Sequence, residues 1–264
     1  MKPQLCSSIN QSEVDELIQN DYWVAEQKLD GNRLLISVKE GTASLYGRNG
    51  QPYSKKVPSE LIAGLESLGV DLTLDGELVG EEYYVFDLPF WELDLRMSEF
   101  VARRLTLELV SPHFAGLPIV LVRQASTRSE KSKLLKAVKK ASGEGVVFKH
   151  QMAPYLDGKR SEKCVKVKFF DTADVVVTGI RTNGKNSVDV SLYDQGTLVP
   201  FGSVTMKKSD LAQIRVNDVI EIKYLYVGAG NRFYQPNFLT FRDDKSAEEC
   251  TVDQNLKRVN KAAL

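Results

Sequence analysis

Glu26-Gln27-Lys28-Leu29-Asp30-Gly31-Asn32-Arg33 is the stretch on which the reading turns. Within it, Lys28-x-Asp30-Gly31-x-Arg33 sets an amine beside a carboxylate, a glycine and a guanidinium. Lysine is a poor nucleophile while protonated, so an attacking amine needs neighbours that hold it and disfavour its charge. Asp30 can hold Lys28, Gly31 allows a tight turn beside a ligand, and Arg33 can grip a phosphate or a sugar. Chance supplies such a hexapeptide in a chain this long with odds of roughly one in several hundred. The weight therefore comes from its surroundings.

Working outward, Tyr22 to Ala25 and Leu34 to Val38 read as strands flanking the motif, and Thr42 to Arg48 as a strand entering a turn at Asn49-Gly50. A short helix capped by Ser12 precedes them, with Val14, Leu17 and Ile18 on its apolar face. Pro58 to Leu68 and Ser98 to Val110 read as helices. Leu72 to Val79, Tyr83 to Leu88, Ile119 to Val122 (buried), Gly145 to Lys149 and Val165 to Phe170 read as strands. Near Asp171 the character changes to short strands (Val175–Ile180, Ser187–Tyr193, Gly202–Thr205, Val219–Tyr226) with one internal helix, Ser209 to Ile214. That pattern predicts a small barrel of the oligonucleotide-binding (OB) type. After Lys245 a polar helix or tail is expected. Gly179-x-x-x-x-Gly184-Lys185-Asn186 nearly matches a phosphate-binding loop, but it lacks the Ser/Thr and the following helix. Asn183-Gly184 reads instead as a hairpin turn.

Composition bounds the alternatives. At 264 residues, 42% apolar and 27% charged, the chain is globular and long enough for two domains. No apolar run approaches a membrane span and the N-terminus has no signal-peptide core, so a cytoplasmic protein is expected. Cys6, Cys164 and Cys250 are odd in number and far apart, which predicts no disulfide framework. His113 and His150 have no ligand spacing, so any metal is expected on carboxylates and phosphates. The net charge is zero, yet Lys131 to Lys168 holds eleven Lys or Arg against three acids. Lys131, Lys133, Lys136, Lys139 and Lys140 read equally well as a solvated helix face. Lys159, Arg160, Lys163, Lys166 and Lys168 lie among apolar strand residues and are harder to treat so.

Further short segments follow the lysine motif in order: Tyr46-Gly47-Arg48-Asn49-Gly50, Asp75-Gly76-Glu77-Leu78, Val85-Phe86-Asp87-Leu88, Glu144-Gly145-Val146-Val147-Phe148-Lys149, Val165-Lys166-Val167-Lys168 and Arg242-Asp243-Asp244-Lys245. Lys166 and Lys168 alternate around Val167 and so share one strand face. Each segment alone is weak. The ordered set resembles the ATP-dependent DNA ligases, within the covalent nucleotidyltransferases that also include RNA ligases and mRNA capping enzymes. The resemblance runs from about Tyr22 to Lys245 and takes in Pro154-Tyr155-x-x-Gly158-Lys159-Arg160-Ser161 and Pro236-x-Phe238.

The resemblance implies an α+β fold: a nucleotidyltransferase (adenylation) domain over 1–171, with antiparallel sheets and flanking helices, then an OB-fold barrel with a C-terminal tail over 172–264. It implies that Lys28 becomes adenylylated by ATP. Lys166 and Lys168 would disfavour its ammonium form and neutralise phosphate in the transition state. Glu77 and Glu144 would face the ribose and a divalent metal, Mg²⁺ or Mn²⁺. Phe86 would stack on adenine, and Glu26 would accept from its amino group, which favours ATP over GTP. Arg33 would sit near the nucleotide or the nick, Arg48 on the 5′-phosphate, and Lys159 and Arg160 on DNA. Arg242, with Asp244 and Lys245, would orient the β/γ-phosphates as the second domain closes over ATP. The expected partner is nicked duplex DNA, bound by a monomer without an added helical domain or an encircling loop. An RNA ligase, a capping guanylyltransferase and a non-catalytic single-strand-binding barrel remain as rivals.

Overall fold

The computed structural model describes residues 1–181 and 186–258, which leaves the Asn183-Gly184 turn outside the described residues. The chain divides into two compact units, one of residues 1–138 with 145–167 and the other of residues 139–144 with 168–264.

In chain order the first unit carries β1 (Leu5–Ser8), α1 (Val14–Gln19), β2 (Trp23–Lys28), β3 (Asn32–Lys39), β4 (Thr42–Tyr46), α2 (Ser59–Glu66), β5 (Leu72–Val79), β6 (Glu82–Trp91), β7 (Leu93–Asp94), α3 (Phe100–Val110), β8 (Ile119–Leu121), β9 (Gln124–Ala125), α4 (Arg128–Lys140), β10 (Gly145–His150) and β11 (Arg160–Lys168). One sheet runs β4-β3-β5-β6-β7, with β8 parallel to β6. The other runs β1-β11-β10-β2-β9. Alternation explains the first sheet. Leu34, Ile36 and Val38 of β3, with Leu72, Leu74 and Leu78 of β5, pack into a core closed by Leu61 and Leu65 of α2 and Leu107 of α3. Period-two strands of this kind send the intervening residues to the opposite face. Arg33, paired with Glu77, therefore shares a face with Asp75, which is paired with Leu35.

The second unit is a closed barrel of β12 (Asp171–Arg181), β13 (Ser187–Asp194), β14 (Thr197–Thr205), β15 (Val219–Tyr224) and β18 (Asn237–Phe241). A short helix, α5 (Lys208–Leu211), and a hairpin, β16 (Tyr226–Gly228) with β17 (Arg232–Tyr234), complete it. Val175, Val177, Val190, Phe201, Ile220 and Ile222 fill the interior. This is the barrel that the short alternating strands predicted.

Four expectations need correction. Cys6 and Cys164 form a disulfide at a Cα–Cα distance of 4.7 Å, because β1 lies parallel beside β11. Topology joins cysteines that are 158 residues apart, and no local spacing could show it. Lys131 is not solvated. It is buried, and its Nζ donates to the carbonyls of Leu17, Asn20 and Trp23 at 2.8–3.1 Å, closing the C-terminal end of α1. Ser12 does not cap that helix; the turn begins at Asn10, whose N–H donates to the Glu13 carboxylate. The stretch after Lys245 is not a free polar tail: Val252 and Leu256 pack on the barrel core and Cys250 is fully buried. Among the described residues no helix is long and apolar enough to cross a membrane.

Candidate active site

Lys28 ends β2, directly opposite Gly145 at the start of β10. Val24 and Glu26 precede it on the same strand face, and Val147 and Lys149 face them from β10. The lysine Nζ lies 3.5 Å from the Leu29 carbonyl. Gly31 is required by crowding: a Cβ there would stand 2.4 Å from the Leu78 carbonyl oxygen and 2.8 Å from a Val79 methyl. The chain after the lysine is thus pressed against the end of β5, a closeness that only a glycine allows.

Glu26 is 2% exposed. Its Oε2 pairs with Lys149 Nζ at 2.7 Å, and its Oε1 accepts from Gln124 Nε2 at 2.9 Å. Lys149 also donates to the Phe86 carbonyl at 3.0 Å, and its ammonium lies 4.5 Å from the Phe86 ring centroid and 4.7 Å from that of Phe100. The two sheets meet at this lysine.

Arg33 is held by a buried carboxylate beside Phe86. Its Nε and Nη2 grip Asp75 at 2.6 and 2.7 Å, Nη2 reaches the Gln4 carbonyl at 3.2 Å, and its guanidinium lies 4.5 Å over Phe86. Burial alone would lower the Arg33 pKa, but the Asp75 carboxylate more than compensates and raises it above the ordinary guanidinium range. Asp75 is fully buried and also accepts from the Tyr155 hydroxyl at 2.6 Å. Burial first, and Asp75 next, push the Tyr155 phenol well above its usual range, so it stays a donor. Arg33 therefore ties Asp75, the Gln4 carbonyl and the Phe86 ring together. In the neighbouring motif, Asp87 binds Arg103 bidentately at 2.7 and 3.0 Å.

Glu77 is half-buried on β5 beside Arg33 and Tyr84. On β11, Val167 is buried between the half-buried Lys166 and Lys168. Glu144 is 5% exposed and pairs with Lys168 Nζ at 2.7 Å. Lys168 also donates to Gln235 at 2.7 Å. Arg48 is exposed on a turn closed by Gly50 N–H to the Gly47 carbonyl at 2.8 Å, with Gly50 at φ 75°. Lys159 and Arg160 are exposed, and Arg160 donates to the Cys6 carbonyl.

In the barrel unit, Arg242 binds Asp244 at 2.8 and 3.0 Å and Asp174 at 2.9 Å, while Lys245 binds the other Asp174 oxygen at 2.7 Å. The hydrogen bonds that Arg242 donates to Asp244, and the charge of Asp174, raise the Arg242 pKa, and Asp174 raises that of Lys245. Asp174 has no motif to announce it, and neither has Gln124. Lys149 and Tyr155 were inside quoted segments without a role.

Residues 3–82 and 81–168 match the family model described as the ATP dependent DNA ligase domain. The chain is 30% identical to the multifunctional non-homologous end joining protein LigD of Pseudomonas aeruginosa, over 96% of this chain but only 36% of that protein's length. It is 26% identical to DNA ligase C1 of Mycolicibacterium smegmatis, over 88% of each. A solved Lig E DNA ligase, described as binding DNA with a minimal scaffold, shares the fold at a TM-score of 0.67 and 19% identity, over 92% of this chain and 99% of that one.

Proposed function

The chain belongs to the ATP-dependent DNA ligase family, and on that footing we propose that it seals 5′-phosphate/3′-hydroxyl nicks in duplex DNA through a lysyl-AMP intermediate at Lys28. One observation carries the reading: Glu26, Lys28, Glu77, Phe86 and Lys149, scattered along the sequence, are gathered on two sheets that meet in one unit. The neutral Lys28 amine attacks the α-phosphorus of ATP. A P–N bond forms, the bond to the bridging oxygen breaks and pyrophosphate leaves. An oxygen of the DNA 5′-phosphate next displaces the lysine from AMP. The 3′-hydroxyl then attacks that 5′-phosphate, releasing AMP and closing the backbone. Catalysis of this kind is positioning plus neutralisation of phosphate charge.

Phe86 supplies the stacking face for adenine, and Glu26 the acceptor for its amino group. Lys166 and Lys168 answer the phosphate charge. Arg33 holds Phe86 and the β3–β5 face in place. Arg242 and Lys245 exchange their carboxylate partners for the β/γ-phosphates. Arg48, Lys159 and Arg160 grip the DNA backbone, so binding weakens steeply with salt. We take 1–171 and 172–264 as the working domains of a cytoplasmic monomer. Among the described residues no three His, Cys, Asp or Glu side chains converge as a metal cage. The carboxylates of Glu77 and Glu144 are hard oxygen donors that fit Mg²⁺ or Mn²⁺ carried mainly on phosphates and water. When bound, such an ion neutralises phosphate charge.

The test is a nicked, 5′-phosphorylated duplex with ATP and Mg²⁺, beside the same nick in RNA, for wild type and Lys28→Ala. Sealed DNA that requires Lys28, with α-labelled ATP leaving a covalent label on the protein, is the expected result. Sealing of RNA alone moves the chain to the RNA ligases. A protein that takes no label is a binding barrel.

A further inference from the structure

We infer that Gln124 and Lys149 are positioning residues that set the base preference of the nucleotide site by fixing the Glu26 carboxylate from both ends. The inference rests on Glu26 reading the base of ATP, as proposed above. A buried carboxylate must be compensated by donors. Glu26 finds two on opposite oxygens, the Lys149 ammonium at 2.7 Å and the Gln124 amide at 2.9 Å. A carboxylate has about four acceptor sites and no proton of its own. With each oxygen tethered once, its plane is fixed, and the remaining lone pairs are aimed before any nucleotide arrives. The 6-amino group of adenine can donate to such a lone pair. The 6-carbonyl of guanine meets it acceptor against acceptor, a mismatch worth large discrimination only while the group cannot turn or take up a bridging water.

The two tethers differ in what they connect. Lys149 is anchored on the Phe86 carbonyl and between the Phe86 and Phe100 rings, so it ties the base-reading carboxylate to the stacking residue. Gln124 lies on β9, directly opposite Glu26 in the ladder. It also lines a cleft of about 390 Å³ with Val24, Phe100 and Gln151. A changed side chain at Gln124 therefore borders open space and leaves no sealed void. The half-buried Gln124 is thus the cleaner residue to change, whereas Lys149, 8% exposed, is also structural.

The experiment is self-nucleotidylylation of the full chain with α-labelled ATP and with α-labelled GTP, comparing wild type with Gln124→Met and Lys149→Arg. For Gln124→Met we expect KM for ATP to rise about tenfold, kcat to stay within about twofold, and the ATP-over-GTP ratio of kcat/KM to fall about tenfold. Its melting temperature should stay near that of wild type. Lys149→Arg, which keeps charge and donors, should keep more of the preference. Unchanged ATP-over-GTP preference in Gln124→Met, with the wild type active, overturns this inference and leaves the ligase reading intact. A wild type that takes no label from ATP overturns the ligase reading itself.

Discussion

Arg33→Met separates a structural from a phosphate-binding arginine. In the fold Arg33 makes two short charge-assisted hydrogen bonds to Asp75, a carboxylate with no exposed surface. Removing one partner of a buried pair typically costs about 3–5 kcal/mol, because the other charge is left in the interior. The Arg33 side chain keeps 17% of its surface exposed, and Tyr155 still donates to Asp75. Both soften the loss, so we expect about 3 kcal/mol and a fall of roughly 10 °C in Tm for a unit of this size. Both tryptophans of the chain, Trp23 and Trp91, lie in the first unit, so urea unfolding followed by their fluorescence reports that unit alone. A cycle with Asp75→Asn should give a coupling of about 2 kcal/mol, since the two residues act as one. Single-variant losses below about 0.5 kcal/mol, or losses that simply add, would refute this assignment and return Arg33 to the nucleotide.

Gly31→Ala forces a Cβ to within 2.4 Å of the Leu78 carbonyl; a loss of about 2–3 kcal/mol on urea unfolding and a sharp drop in lysyl-AMP labelling are expected. Cys6→Ser should lower stability by up to about 5 kcal/mol without reductant, and should match wild type once dithiothreitol is present, by calorimetry. Burial alone would raise the Asp87 pKa, but Arg103 and then Lys149 hold it below the ordinary carboxylate value. Its stabilisation is therefore complete above about pH 4 and is lost as pH falls through the depressed native value. Asp87→Asn should be less stable than wild type at neutral pH and converge with it in acid. Arg242→Ala should impair self-adenylylation more than sealing of pre-adenylylated DNA; equal loss in both steps would remove its assignment to the β/γ-phosphates.

What the residues showed in advance was whatever repeats locally. Alternation in Leu34, Ile36 and Val38, and again in Ile220 and Ile222, placed strands and cores where they stand. The same alternation put Lys166 and Lys168 on either side of a buried Val167. The ordered motifs marked Lys28, Glu26, Glu77 and Phe86, but not who holds them. Gln124 reaches Glu26 across 98 positions and Tyr155 reaches Asp75 across 80; neither spacing leaves a periodic trace. Lys131 was misleading for a related reason. A lysine among lysines on a helix reads as solvated, and only the end of another helix, 111 residues earlier at Asn20, makes it a buried donor. For Arg33 the charge is visible in the sequence, while the grip on Asp75, 42 positions away, is not.

The pairing of β1 with β11 bears on how the chain reaches its fold. Cys6 and Arg160 touch across 154 positions, and β1, at the end of its sheet, pairs directly with β11. During synthesis the β1 segment must stay unpaired until β11 emerges, roughly ten seconds or more later at ordinary elongation rates. Contacts of such long range slow the search for the native topology and leave a strand edge open to other chains meanwhile. Yield should therefore improve when synthesis is cooled or a chaperone shields that edge, while the finished fold, with β1 paired to β11, gains nothing from either.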